Sequence, residues 1–196
     1  MAWTGSSDVC ACIWEASFGA SDCTPQVPGI NKTLAVLCMN NVNTITKTAA
    51  DEASPDTTGI ITDVTAATGE RAWLMTNLSY KVEVISGESI NDNGGTDRAE
   101  SISGKGSITT NELNFVKNYL NYDVLIFFED NDSRIWCMGH DGGLTLTEWS
   151  AAFGLTTGDE KAVSYTFNNT TREAMQEVVF AGGNEAFFTQ LITPAA

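Results

Sequence analysis

Cys137 and His140 are the first pair in this chain whose residue types could do chemistry. A thiol becomes a nucleophile when a neighbouring base takes its proton, and His140 is the sole histidine, so every histidine-dependent mechanism has to use it. The two stand three positions apart. On an extended strand that offset sends their side chains to opposite faces, which favours an ordinary strand-end histidine over a catalytic dyad. Cys10, Cys12, Cys23 and Cys38 could supply four thiolates to zinc, but they lack the C-x2-C spacing of zinc knuckles and read as buried or half-buried thiols. Asp130, Asp132 and Ser133 form one oxygen-rich loop, and Asn91, Asp92, Asn93, Gly94, Gly95, Thr96 and Asp97 form another. Neither completes a calcium loop of the EF-hand kind, which needs a bidentate acid at its twelfth position, so both read as turns. No Walker loop, dinucleotide fingerprint, GxSxG elbow or HExxH pair occurs. The expectation is a protein with no catalytic residues, no metal and no cofactor.

The elements that must position these residues are strands. Val124 to Phe128 is a short continuous apolar run, the pattern of a strand buried on both faces. Leu144 and Leu146 alternate with Thr145 and Thr147, and Val163, Tyr165 and Phe167 alternate with Ser164, Thr166 and Asn168, the period of a strand with one wet face. Earlier in the chain, Lys32 to Met39 reads as the first strand, closed by Asn40, Asn41 and Asn43 as turn residues. Gly59 to Thr65, Ala72 to Ser79 and Tyr80 to Ile85 follow as strands, and Met175 to Phe180 comes last. One helix is expected near 111–121, with Leu113, Phe115, Val116 and Leu120 on its apolar stripe, and a short one at Asn184 to Ile192.

A chain of 196 residues with 42% hydrophobic content is enough for one sizeable core. The expected organisation is an irregular arm at 1–31, a β-sandwich or barrel domain at 32–181 and a second arm at 182–196. Ser86 to Ser101, rich in Gly, Asn, Asp and Ser, reads as a loop, and loops this long inside a domain are usually functional or disordered.

The formal charge of −15 disfavours a duplex-coating role, since binding to nucleic acid is dominated by cations meeting phosphates. No apolar run approaches the roughly 20 residues of a membrane-spanning helix, and no secretory leader pattern opens the chain, so no membrane partner is expected and the five cysteines read as reduced thiols.

The pattern FFEDNDSRIWCMGHDGGLTLTEWSAAFGLTTGDEKAVSYTFNNTTREAMQEV resembles tail-tube and related virion structural proteins of tailed bacteriophages, especially those infecting Bacteroidetes-type hosts. The matching features are a strand ending in Glu129-Asp130, a turn, Ile135 to Gly139, Gly143-Leu144, a loop with Thr157-Gly158, and the alternating strand at Val163 to Phe167. The opening, with cysteines ahead of Pro28-Gly29-Ile30 and a strand, looks similar too. The resemblance implies a mainly β protomer, an antiparallel β-sandwich or barrel with one packed helix. Such protomers assemble with themselves into rings, commonly hexameric, which stack into a conduit. It further implies other tail or head proteins as partners, phage DNA passing through without specific binding, and a place in the virion after assembly in the bacterial cytoplasm. In that reading 86–101 is the loop bridging rings, and its Glu88, Asn91, Asp92, Asn93 and Asp97 are the candidate interface residues.

Two alternatives stand beside the tube subunit. One is a head-completion, connector or capsid-decorating protein of the same virion. The other is a β-sandwich module that binds carbohydrate or a host surface, with Trp73, Trp136 or Trp149 as stacking platforms, although aromatics in sheets more often lie in the core.

Overall fold

Leu34 to Leu37 and Val124 to Phe128 are runs in which every side chain is buried, so the two strands carrying them must lie between two apolar layers. They are neighbours: β1 (Ile30–Cys38) pairs antiparallel with β7 (Asp123–Asp130), with Leu34 opposite Phe128 and Cys38 opposite Val124. Alternate residues serve alternate cores. Leu34, Val36, Val124, Ile126 and Phe128 enter one cluster, and Ala35, Leu37, Leu125 and Phe127 enter the other.

The computed structural model describes residues 30–48, 60–77, 82–90, 96–106, 108, 113–115, 119–153, 161–171 and 174–194. The arm expected at the start of the chain, with Cys10, Cys12 and Cys23, lies outside the described residues. The remaining strands are β2 (Val42–Lys47), β3 (Ile61–Ala66), β4 (Trp73–Thr76), β5 (Glu83–Ile90), β6 (Thr96–Gly106), β8 (Ile135–Met138), β9 (Leu144–Ala152), β10 (Ala162–Thr171) and β11 (Gln176–Val178), followed by helix α1 (Asn184–Ile192). The protein is mainly β, as its sequence pattern indicates. All pairings are antiparallel except that of β11 with β3, which is parallel.

The sheet forks at β7. Its residues 123–124 pair with β9, while residues 126–129 pair with β8 on the same flank. From β9 the strands run β10, β6 and then β5, and from β8 they run β11, β3 and then β2. The first branch curls round until Asn77, just past β4, bridges Gly106 at the end of β6. Because β4 pairs with β1, that bridge closes a barrel of β4, β1, β7, β9, β10 and β6. Ile102, Leu144, Leu146, Val163, Tyr165 and Phe167 fill it. Residues 113–115 and 119 are helical, within the helix expected at 111–121. Phe115 is buried in the barrel core, with its ring centroid 4.4 Å from Tyr119 and 6.0 Å from Trp73.

The second branch packs against the outer faces of β1 and β7. There α1 contributes Phe187 and Leu191, one turn apart on one helix face, and Phe187 meets Phe127 edge-on at 5.5 Å. Gly183, at φ 83°, admits the chain into α1 through a backbone conformation open to glycine. Asn184 donates to Glu129 Oε1 at 2.7 Å, and Gln190 donates to Asp63 Oδ1 at 2.8 Å, fastening both ends of the helix to the sheet.

Two stretches differ from the sequence reading. The polar segment 86–101, read as a loop, belongs to the paired strands β5 and β6, from Ser86 with Glu100 to Ile90 with Thr96, and 91–95 lies outside the described residues. Its small polar residues are compatible with a strand because β10 supplies a partner along the far side of β6. Asn40 and Asn41 do form a turn, a short 3₁₀ segment at Met39–Asn41, but a further strand, β2, begins directly after it.

Candidate functional site

Three places are candidates: the barrel end around Glu100 and His140, the two outer strands of the sheet, and the exposed face of β9 and β10.

At the barrel end, Glu100 alternates with Ile102 and Gly104 on β6 and therefore points inward with them. It is 1% exposed. Its Oε2 accepts the Gly139 N–H at 2.8 Å, and its Oε1 has no hydrogen-bond partner among the described residues. Burial pushes the Glu100 carboxyl above its usual range, the Gly139 N–H opposes that rise, and the charge of Asp141 adds to it. Gly139 has φ 77°, and a Cβ there would lie 2.8 Å from the Val124 carbonyl oxygen and 2.9 Å from the Leu144 nitrogen, so the turn it opens depends on glycine. Asn169 holds the other end of the same turn by donating to the Gly143 carbonyl at 2.6 Å. His140 is buried within this turn.

The dyad chemistry imagined for Cys137 and His140 has no support in this geometry. Cys137 is fully buried on β8, and its thiol lies 3.9 Å from the Met138 carbonyl oxygen. Desolvation drives its pKa far upward, Glu100 adds to the rise, and the nucleophilic thiolate is suppressed. Cys38 is half-buried and is also shifted upward, chiefly by burial. The Asp130 loop is a turn with its carboxylate fully engaged. Oδ1 accepts the N–H groups of Asp132 and Arg134, both at 2.9 Å, and Oδ2 accepts the Trp136 indole N–H at 2.8 Å.

The outer strands are β5 and β2. Among the described residues, β5 pairs only with β6 and β2 only with β3, so each presents one open flank. On β5, Ile85 is 52% exposed. Of the candidate interface residues, Glu88 stands opposite Arg98 and Asp97 opposite Ser89 in the hairpin register, while Asn91, Asp92 and Asn93 lie outside the described residues.

Scanned against protein-family models, curated proteins and solved structures, the chain matches none.

Of the three tryptophans weighed as platforms, Trp73 packs against the barrel core and Trp136 is held by Asp130. Trp149 is different: it is 43% exposed and, with Leu120, lines an open groove on β9 and β10. Glu100 escaped the sequence reading. Its period-two alternation with Ile102 was the available signal, hidden by the glycines and serines around it.

Proposed function

We propose that this chain is a non-catalytic structural subunit of a virion, the tail-tube protein of a tailed bacteriophage. It self-assembles into rings that stack into a channel for DNA. One observation carries the reading: among the described residues the strand order ends in two different open strands, β2 and β5, while β4, which pairs only with β1, is joined to β6 just past its end by the Asn77–Gly106 bridge. An open strand offers a row of backbone donors and acceptors to a neighbour. Pairing β5 of one copy with β2 of the next is a heterologous contact, and such contacts close into rings when the rotation per subunit allows it. The strands also differ in charge, since β5 carries Glu83 and Glu88 while β2 carries Lys47 and no acid.

The acidity supports the channel. At −15, the subunit surface repels phosphate, which suits a wall along which DNA slides without binding. The buried, high-pKa Cys137 and the engaged Asp130 fit a protein that performs no chemical step.

Negative-stain electron microscopy across a concentration series, beside light scattering for mass, tests the proposal. Hollow rings or tubes wide enough for duplex DNA are the expected result. A monomer at every concentration removes spontaneous tube formation and leaves the decorating or connector role to be tried with virion partners.

A further inference from the structure

Strands β5 and β2 each present an isoleucine two places from a charge, and the charges are opposite. On β5, Val82 and Val84 pack against the barrel core, so Glu83 and Ile85 point away from it, and Ile85 is 52% exposed. On β2, Ile45 lies partly buried against the second core, and Lys47 follows it, exposed, on the same face. Both strands are regular over these stretches. Strand β5 is paired with β6 without a break from Glu83 to Ile90. The extra residue of β2 is Asn43, ahead of Thr44, and the second shift in the β2–β3 register adds Thr62 to β3 and leaves β2 straight.

That spacing tells the possible joints apart. Two β5 strands set antiparallel with Ile85 against Ile85 place Glu83 against Gly87, and two β2 strands centred on Ile45 place Lys47 against Asn43, so in both the charges go unmatched. A parallel joint of β5 and β2 with the isoleucines opposed sets Glu83 beside Asn43 and Lys47 beside Gly87. The antiparallel joint sets Ile85 against Ile45 and, two residues on, Glu83 against Lys47. Both pairs then share one face, where opposed side chains approach to about 4.5 to 5.5 Å at Cβ. On the other face Val84 meets Thr46 and Ser86 meets Thr44, with no like charges opposed. Sliding β2 by two residues destroys the match, since Ile85 then meets Asn43 or Lys47. The joint ends where the extra residue Asn43 comes level with Gly87, which has open space about it.

We propose that copies of this chain join in this one register, β5 of one antiparallel to β2 of the next, with Ile85 covering Ile45 and Glu83 paired with Lys47. This register rests on the ring reading above and names the residues by which a copy selects its neighbour.

Charge exchange, followed by electron microscopy and light scattering, tests it. Glu83→Lys and Lys47→Glu each oppose like charges at every contact, and each should raise the concentration needed for assembly about tenfold or more. The double variant should return it close to that of the parent. Repulsion summed over the whole chain predicts otherwise, because Glu83→Lys makes a chain of charge −15 less acidic and would ease assembly. Disulfide capture reads the register directly. Opposed residues of paired strands have Cα atoms about 4.5 to 5.5 Å apart, inside the span of a disulfide. An equimolar mixture of Ile45→Cys and Ile85→Cys should give a covalent dimer that neither variant gives alone, and Asn43→Cys mixed with Ile85→Cys should give none. A parent that assembles while the double variant stays impaired, or while Ile85→Cys bonds equally to Asn43→Cys, overturns the register and leaves the ring reading standing. A parent that stays monomeric at every concentration overturns both.

Discussion

The phenol of Tyr165 donates a 2.6 Å hydrogen bond to the side-chain oxygen of Asn77, a residue 88 positions earlier, inside the barrel where its seam closes. Gly104 makes room for it. A Cβ at that position would lie 2.7 Å from Tyr165 Cζ and 2.8 Å from Asn77 Oδ1, so the strand that carries the seam has to pass the hydrogen bond without a side chain. The backbone of the same Asn77 bridges to Gly106, which closes the strand circle. Burial pushes the Tyr165 phenol well above its ordinary pKa, so it remains a donor throughout the physiological range.

Removing the hydroxyl should therefore loosen the seam. Tyr165→Phe is expected to cost about 1 to 3 kcal/mol, the usual effect of deleting one partner of a buried hydrogen bond. Gly104→Ala should cost more, because a backbone strand has to move. Chemical denaturation of the two single variants and the double variant checks this: the double should be less destabilised than the sum, since losing the hydroxyl removes the nearest obstacle to the new methyl group. Strict additivity would show that the two residues do not share the space described.

Glu100 makes stability depend on pH in a stated direction. Its pKa is higher in the folded chain than in the unfolded one, because burial disfavours the charged form. The stabilisation it supplies is thus complete below the unfolded value and is lost as pH rises through the folded value. Thermal melting between about pH 4 and pH 8 should show this component, starting near the unfolded carboxyl value of roughly 4.3. Glu100→Gln keeps an oxygen for the Gly139 N–H and needs no proton, so it should flatten the slope and raise Tm near neutrality. Glu100→Ala leaves that N–H without its acceptor, at about 1 to 3 kcal/mol. A slope that the glutamine variant leaves unaltered counts against the assignment.

Asp130 should behave as the fastener of the β7–β8 hairpin. Asp130→Ala deletes three acceptor contacts, to Asp132, Arg134 and the Trp136 indole, and is expected to cost about 2 to 3 kcal/mol, with red-shifted tryptophan emission as Trp136 meets water. Asp130→Asn should recover part of the loss, having one oxygen where two are used. Adding or removing calcium should leave the melt of the parent unchanged, because the carboxylate is already occupied by the turn.

Ile85 tests the assembly edge without touching the core. Lysine on an exposed strand edge is a common natural guard against pairing. Ile85→Lys should keep Tm within a few degrees, as surface changes usually do, and should abolish rings and tubes in electron micrographs. Undiminished assembly would move the contact away from β5.

The strands that the sequence declares are those whose chemistry is decided locally. Val124 to Phe128 could be read because five successive apolar residues admit few alternatives to a strand buried on both faces, and Leu34 to Leu37 share that character. Strand β2 was hidden by Asn40, Asn41 and Asn43: the first two do turn, in the 3₁₀ segment, but Asn43 lies inside the strand, which forms because β3 offers it a partner. Strand β6 was hidden by Ser101, Ser103, Gly104 and Gly106: its glycine at 104 is there for Tyr165, a residue whose proximity no local pattern reveals. Of the candidate sites, the Asp130 turn was legible from its own sequence. The Glu100 clamp was not, because its partner Gly139 is 39 positions away. The exposure of Trp149 is likewise a property of the assembled barrel.

The fork at β7 has a consequence for how the chain is made. Strand β1 has its long antiparallel partner in β7, with Cys38 facing Val124, a separation of 124 − 38 = 86 residues. At a synthesis rate of roughly 5 to 20 residues per second, β1 leaves the ribosome on the order of ten seconds before the strand that buries it. Its four consecutive apolar residues spend that interval without their final neighbour, which makes this stretch the natural binding site for a chaperone and the point from which misassembly of a nascent chain would begin.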